Sequence, residues 1–135
     1  MYNDNECEPP EITRRRALFE ADCSVELSNL IPIQIKESLQ RYVVYGLDCG
    51  HFVEAVLRND LIDAITRADA ENLRLIHQII IYCLNALPST CWGTPEKVAE
   101  WKKKISDEEI QYESNRVVEA MRKNPLPERR LHMPP

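Results

Sequence analysis

The stretch DAENLRLIHQIIIYCLNAL, residues 69–87, carries the strongest folding signal in the chain. Its apolar side chains recur every three or four residues, which is the period of an α-helix that buries one face. The periodic positions are Leu73, Ile76, Ile79, Ile80, Cys83, Leu84 and Leu87. Further apolar residues widen this face, so the helix is predicted to be central. Asp69 is placed to cap its start, and Pro88 marks its end.

Shorter helices are predicted upstream of this stretch. Pro32 suits the first position of a helix that Gly46 would end, because glycine readily adopts the left-handed conformation found at helix C-termini. A second helix begins near Gly50. The pair Asn59-Asp60 separates it from a third, short helix.

Two start signals lie downstream. Thr94-Pro95-Glu96 combines a hydroxyl cap, a proline at the first helical position and an acid near the positive end of the helix dipole. Residues 106–109, Ser-Asp-Glu-Glu, match the capping-box pattern. They predict a separate last helix that ends at Asn124-Pro125.

These patterns predict an all-α protein, a compact bundle of about five helices around the central apolar helix. The helical domain is expected over residues 30–123. Residues 1–29 are predicted to form a flexible arm with room for one short helix, and residues 124–135 a proline-rich tail. Only three glycines occur in 135 residues, which disfavours a sandwich or barrel with many tight turns.

Charge and hydropathy indicate the compartment. No apolar run approaches the roughly 20 residues that span a bilayer, and the polar N-terminus is unlike a secretory signal. The chain is therefore expected in the cytoplasm, where its five cysteines would stay reduced. A net charge of −5 disfavours nucleic acid and anionic membranes as partners.

No pattern of residues predicts catalysis or a cofactor. Cys49 and His51 are the closest Cys/His pair, but one intervening residue and the lack of a second pair are not typical of zinc sites. Glycine-rich phosphate loops and nucleophile elbows are absent from the sequence. We therefore expect a non-enzymatic protein with no metal and no cofactor.

The most promising binding surface is the corner between the two helices that meet at residues 42–52. It carries Tyr45, Asp48 and His51, to which Asn59, Asp60 and Trp92 are added as candidate ligand- or partner-binding residues. A plainer interpretation is that the glycines of this corner adopt the backbone conformations that a tight turn between two helices requires. Trp92 would then plug the core.

Two basic clusters, residues 14–16 and 102–104, are the places where phosphate would bind if the protein contacted nucleic acid. The predicted helices after Gly50 carry as many acids as bases, which is a poor DNA-reading surface.

A wider pattern in the middle of the chain resembles short, uncharacterised proteins encoded by bacteriophages and prophages. It consists of Gly50-x-Phe52-x-x-Ala55-Val56-Leu57-x-Asn59-Asp60-Leu61, Ala68-Asp69-x-x-Asn72, Tyr82-x-x-Asn85-x-x-Pro88-x-x-Cys91-Trp92-Gly93 and Trp101. The resemblance covers about residues 31–101. It implies a bacterial host cell and a small accessory protein, and it brings no known activity.

The leading hypothesis is therefore a phage-type accessory protein that binds a host or viral protein and inhibits it. An acidic helical surface suits a basic partner. A protein that binds or sequesters a small nucleotide is the alternative, and a DNA-binding regulator is a weaker one. The sequence also leaves a homo-oligomer open.

Overall fold

The computed structural model describes residues 9–123, and all of the regular structure in that range is helical. The helices are α1 (Pro10–Leu18), α2 (Val25–Leu30), α3 (Ile33–Tyr45), α4 (His51–Leu57), α5 (Leu61–Arg67), α6 (Ala70–Arg74), α7 (Ile76–Ala86) and α8 (Pro95–Lys123). No strand occurs between residues 9 and 123, which confirms the all-α class. The predicted proline-rich tail lies outside the described residues.

Local capping signals set most of the helix boundaries as predicted. The side chains of Asp60, Asp69 and Thr94 each accept a hydrogen bond from the backbone N–H three residues further on. These bonds satisfy donors that a helix N-terminus leaves unpaired. Gly46 ends α3 with φ of 69°, and its N–H donates to the carbonyl of Tyr42 at 2.8 Å.

The core is shared among five helices. The buried apolar residues of α3, α4, α7 and the first turns of α8, together with Ala64 of α5, form one cluster. Its fully buried side chains include Leu39, Tyr42 and Val43 of α3, Leu57 of α4, and Tyr82 and Cys83 of α7. The predicted picture of about five helices around one central helix is therefore too simple, because α3 is buried as deeply as α7.

The predicted central helix is two helices. Leu75 lies between α6 and α7 with φ of −102° and ψ of 10°, outside the helical region. Its N–H still donates to the carbonyl of Glu71 at 3.0 Å. The chain therefore bends at Leu75 without losing that hydrogen bond, and α6 leaves the line of α7.

The predicted break at Ser106 is wrong, since α8 runs unbroken from Pro95 to Lys123. Ile105 is buried immediately before it. No glycine or proline lies between residues 96 and 123. The acidic residues that follow Ser106 are tolerated inside a helix as well as in a first turn, so the capping-box pattern alone does not start a new one.

The C-terminal end of α3 is buried, and distant side chains satisfy its carbonyl groups. Trp101 of α8 donates its Nε1–H to the carbonyl of Val43 at 3.2 Å. Arg15 of α1 donates its Nε–H to the carbonyl of Val44 at 2.8 Å. A helix leaves its last carbonyls without intrahelical donors, so these two bonds fasten α1 and α8 to the same end of α3.

The first described residues are held against the domain, whereas the sequence predicts a flexible arm over residues 1–29. Arg15 is buried at 8% exposure, and Phe19, Cys23 and Leu27 pack against the core. The predicted short helix is present as α1, and α2 follows it. Long-range contacts order this segment, and local sequence patterns do not reveal them.

Glu20 fastens the segment between α1 and α2 to α7. Its backbone adopts φ of 62°, and its N–H donates to the carbonyl of Ala86 at 3.0 Å. Its carboxylate accepts hydrogen bonds from the buried hydroxyl of Tyr82 and from Ser28. Burial, together with the bond to Glu20, raises the pKa of Tyr82 above its usual range. The Tyr82 hydroxyl therefore stays a donor.

We expect Arg15→Ala to lower the free energy of unfolding by about 2 kcal/mol, because it leaves the buried Val44 carbonyl without its donor. Arg15 also pairs with Glu108 at 2.6 Å, and that bond is lost too. Urea unfolding measures the change. The matched control is Arg14→Ala on the same helix, where Arg14 is exposed and an effect within about 0.5 kcal/mol is expected. Equal effects of the two changes would contradict this role of Arg15.

Glu20 and Tyr82 should be energetically coupled. Glu20→Ala and Tyr82→Phe are each expected to destabilise the protein, and the double variant by less than the sum, with a coupling of about 1 kcal/mol. A double-mutant cycle in urea measures this coupling. A coupling of zero would mean that the short contact between the two side chains does not hold residues 19–24 in place.

Candidate binding cleft

The six candidate residues from the sequence do not meet in one cavity. Tyr45, at the end of α3, lines a cleft between α1 and α8. Asn59 and Asp60 line a separate small cavity beside α5. Asp48, His51 and Trp92 line neither of these two spaces. A single site built from all six is therefore not what the fold produces.

Asn59 and Asp60 have structural roles in the turn between α4 and α5. Asn59 adopts φ of 62°, the left-handed conformation that asparagine tolerates better than most residues. The Asp60 carboxylate accepts a hydrogen bond from the N–H of Asp63 at 3.1 Å and so caps α5. The cavity beside them holds about 40 Å³. A small-molecule site usually needs roughly 300 Å³ or more.

Asp48 belongs to an ion-pair group on the surface. The ammonium group of Lys102 donates to Asp48 at 3.0 Å and to Glu54 at 2.8 Å. Burial opposes the charge on Lys102, but the hydrogen bonds to the two carboxylates outweigh it and raise the pKa of the ammonium group. This lysine ties α8 to the corner before α4. His51 is exposed as the first residue of α4.

Trp92 packs against the hydrophobic core and is partly buried. The neighbouring Gly93 N–H donates to the carbonyl of Leu57 at 2.6 Å, which holds this loop against the end of α4. The geometry favours the plainer interpretation, in which Trp92 closes the core beneath the loop.

The cleft between α1 and α8 is the best-formed depression that contains a predicted site residue. Its volume is about 170 Å³. The lining residues are Pro9, Glu11, Ile12, Arg15, Tyr45, Leu47, Ile105, Glu108 and Glu109. Most of the exposed wall is apolar. We call this depression the α1–α8 cleft.

Arg15 lines the α1–α8 cleft and has two internal partners there. Its Nε–H donates to the Val44 carbonyl, and Nη1 donates to Glu108 at 2.6 Å. The paired Glu108 carboxylate neutralises the guanidinium and so reduces its attraction for an outside anion.

Carboxylates outnumber basic groups in the lining of the cleft, and the exposed Arg16 lies at its edge, where it donates to the Tyr45 hydroxyl at 2.6 Å. Glu11, Glu108 and Glu109 lie in its lining, against the single guanidinium of Arg15. Pairing of Arg15 with Glu108 leaves Glu11 and Glu109 as the remaining charges of the lining. An apolar depression with this rim favours an occupant that carries positive charge next to an apolar group.

The two basic clusters are largely committed to contacts within the protein. In the first, Arg15 is buried, and Arg16 donates to the Tyr45 hydroxyl at 2.6 Å. In the second, Lys103 pairs with Asp107 at 3.1 Å, and Lys104 lies 5.4 Å from the centre of the Trp101 ring. Carboxylates neutralise Arg15 and Lys102, whereas Arg14 is exposed and Lys103 forms a surface pair of the kind that contributes little.

The buried thiols are poorly suited to nucleophilic chemistry. Cys49, Cys83 and Cys91 are buried free thiols, and burial raises the pKa of each to about 12. A thiol reacts through its thiolate, so these groups stay protonated and inert near neutral pH. Burial and the nearby Glu20 carboxylate also raise the pKa of Cys23, which is only partly buried.

In the part of the chain that the structure describes, no three His, Cys, Asp or Glu side chains cluster closely enough to hold a metal ion. Within residues 9–123, no helix combines the length and apolar character needed to cross a membrane.

Sequence reasoning missed Arg15, Ile12 and Glu108 as parts of a site. Arg15 stands between two other arginines, and such a run is usually a solvated face. The apolar spacing of Ile12 and Phe19 along a short helix was the one available signal. It indicates a buried face on α1, but not the helix that covers it.

Alkylation of native protein at pH 8 is expected to label Cys23 well before Cys49, Cys83 and Cys91. A thiol with a pKa of about 12 is ionised to roughly one part in ten thousand at that pH. A short pulse of iodoacetamide followed by peptide mass spectrometry measures the labelling. The same pulse in urea should label Cys49, Cys83 and Cys91 as readily as Cys23. Labelling of Cys49 as fast as Cys23 in native protein would contradict the burial.

No family model, curated protein or solved structure matches this chain. The shape and charge of the α1–α8 cleft are therefore the basis for a functional proposal.

Proposed function

We propose that this protein acts without catalysis, by binding a basic segment of another protein in the α1–α8 cleft. The observation that carries the proposal is an apolar depression of about 170 Å³ whose lining includes three carboxylates. The overall charge of −5 has the same sign. A partner segment would insert an apolar side chain and place lysine or arginine against the rim.

The size of the cleft suits an anchor residue and not a whole small molecule. Protein interfaces often depend on one or a few side chains that fill a pocket while charged groups around it direct the approach. Tyr45 and Leu47 border the cleft and remain 41% and 51% exposed. They therefore offer apolar surface that a partner would cover.

A binding role also agrees with the state of the reactive groups. The three buried thiols have pKa values raised to about 12, and Arg15 is occupied by Val44 and Glu108. Neither set is arranged for a nucleophile or an anion-stabilising group. We therefore retain the non-enzymatic hypothesis.

The two alternative functions have less support. The residues proposed for a nucleotide, at the corner of residues 45–52 with Asn59, Asp60 and Trp92, do not line a common cavity, and the space beside Asn59 and Asp60 holds only about 40 Å³. A DNA-binding regulator would need the two basic clusters to be available, but Arg15 and Lys102 hold internal carboxylates.

The resemblance to phage-encoded proteins suggests where the partner is found. We infer a basic host or viral protein in the cytoplasm of a bacterial cell. Covering a basic segment of that partner would block its contact with an acidic ligand such as nucleic acid. Inhibition is therefore the expected consequence of binding.

Selection from a library of random peptides tests the proposal directly, because every combination of apolar and charged residues competes for the cleft. Peptides that bind the protein are expected to share an apolar residue flanked by lysine or arginine. Affinity, measured by fluorescence anisotropy, should weaken as salt is raised, because charge pairs at an exposed rim are screened.

Leu47→Lys is expected to weaken binding of a selected peptide about tenfold or more, which corresponds to about 1.4 kcal/mol, because it removes apolar surface from the cleft and sets a positive charge against the basic residues of the peptide. The matched control is Leu84→Lys, since Leu84 is 62% exposed on α7 and does not line the cleft. The control should bind as the wild type does. Failure to select any basic peptide, or equal binding by both variants, would overturn the proposal.

A further inference from the structure

The sequence that follows α8 has the composition proposed above for a partner of the α1–α8 cleft. Residues 124–135 read NPLPERRLHMPP. Leu131 follows two arginines, Arg129 and Arg130, which outnumber the single acidic residue of this stretch. An apolar side chain next to positive charge is the combination that the lining of the cleft favours. We call residues 128–133, Glu-Arg-Arg-Leu-His-Met, the basic segment.

Two carboxylates of the cleft are placed to bind the arginines of the basic segment. Glu108 is already paired with Arg15 at 2.6 Å. Glu11 and Glu109 also belong to the lining, and the lining contains no second lysine or arginine to pair with them. Leu47, in the same lining, leaves 51% of its surface exposed. The lining therefore offers both the charges and the apolar surface that the basic segment would cover.

The number of residues between α8 and Leu131 matches the distance back to the cleft. An α-helix rises 1.5 Å per residue, so Glu109 lies about 21 Å and Ile105 about 27 Å along the axis of α8 from its last residue, Lys123. An extended chain spans about 3.3 Å per residue, so Arg129 reaches about 20 Å from Lys123 and Leu131 about 26 Å. A chain that folds back along α8 thus brings Arg129 level with Glu109, and Leu131 between the levels of Glu109 and Ile105.

Two prolines favour such a reversal of direction. Pro125 and Pro127 lack a backbone N–H and disfavour the helical conformation in the residue before each of them. The helical path of α8 is therefore not favoured beyond Lys123. Proline also restricts the free chain, so less conformational entropy is lost when an extended segment binds.

We propose that the basic segment folds back along α8 and occupies the α1–α8 cleft of its own chain. This inference rests on the proposed function, because it takes the cleft to be a site for an apolar side chain next to basic groups. Side chains two positions apart point to the same side of an extended chain. Arg129 therefore binds Glu109 while Leu131 covers Leu47. An outside partner has to displace the segment before it binds.

Attachment to the same chain makes even a weak contact effective. A segment joined by a short linker competes at an effective concentration of about 1 mM. If the free segment bound the cleft with a dissociation constant of about 0.2 mM, it would weaken the binding of an outside peptide about sixfold. The basic segment would thus exclude weak basic partners and admit only those that bind the cleft tightly.

The affinity of the full-length chain for a basic peptide selected from the library tests this competition. Arg129→Gln/Arg130→Gln is expected to tighten binding about fivefold, because the segment no longer competes. The matched control is Arg122→Gln/Lys123→Gln, which removes the same charge from exposed positions at the end of α8. It should bind as the wild type does. Fluorescence anisotropy measures all three chains.

The outcomes separate this inference from the proposed function. If the wild type and the Arg129→Gln/Arg130→Gln variant bind the peptide equally, the inference is overturned and the proposed function stands. Equal tightening in the control would also overturn the inference, because net charge alone would then explain it. If none of the three chains binds a basic peptide, the proposed function fails as well.

Disulfide trapping tests the position of the segment without any added peptide. Leu47→Cys and Leu131→Cys are combined in one chain, which is oxidised at low concentration and analysed by peptide mass spectrometry. A cross-link between positions 47 and 131 is expected at the mass of a single chain. The matched control combines Leu131→Cys with Leu84→Cys, since Leu84 is exposed on α7 and does not line the cleft. Equal yields for the two pairs, or cross-links that join two chains, would overturn the proposal.

Discussion

Two carbonyl groups at the end of α3, those of Val43 and Val44, are buried where the helix itself offers them no donor. Leaving either one unsatisfied would cost about 1–3 kcal/mol. Trp101 and Arg15 supply the donors from α8 and α1. Both helices must therefore lie against the same end of α3. The backbone reinforces this arrangement at Gly46, where an added Cβ would come within 3.2 Å of Ile105. The α1–α8 cleft is the space that remains between the two helices once these bonds are made.

Local sequence signals predicted helix boundaries correctly where one residue satisfies the backbone hydrogen bonds or the backbone conformation at a helix end. The caps at Asp60, Asp69 and Thr94 and the left-handed Gly46 are of this kind. The same reasoning failed where tertiary contacts decide. It also failed within helices, because no residue type marks the break at Leu75, and the capping-box pattern at Ser106 does not interrupt α8. Residues 9–29 resemble a flexible arm in sequence because they are rich in charged and polar residues. That composition gives no sign of their contacts with residues tens of positions away.

The candidate site residues also divide into those that local sequence indicates and those that depend on distant contacts. Tyr45 was found because it stands among other polar and aromatic residues at a helix corner, and it does line the cleft. Asn59 and Asp60 were singled out for being polar, yet they serve a turn and a cap. Arg15 could not be identified, since burial of one arginine within a run of three depends on the distant Val44 and Glu108. The net charge of −5 indicates only an excess of carboxylates, whereas the folded chain shows where acidic and apolar groups meet.

The bonds that build the cleft also set the order in which it can form. Arg15 meets Val44 across 29 residues, Trp101 meets Val43 across 58, and Arg15 meets Glu108 across 93. Contacts between such distant parts of a chain form late in folding, because the chain loses conformational entropy when its ends come together, before the contact contributes its stabilisation. During synthesis the first helices leave the ribosome long before α8. A growing chain therefore exposes α1 and α3 without a cleft, and the surface exists only after residue 108 has emerged and folded back.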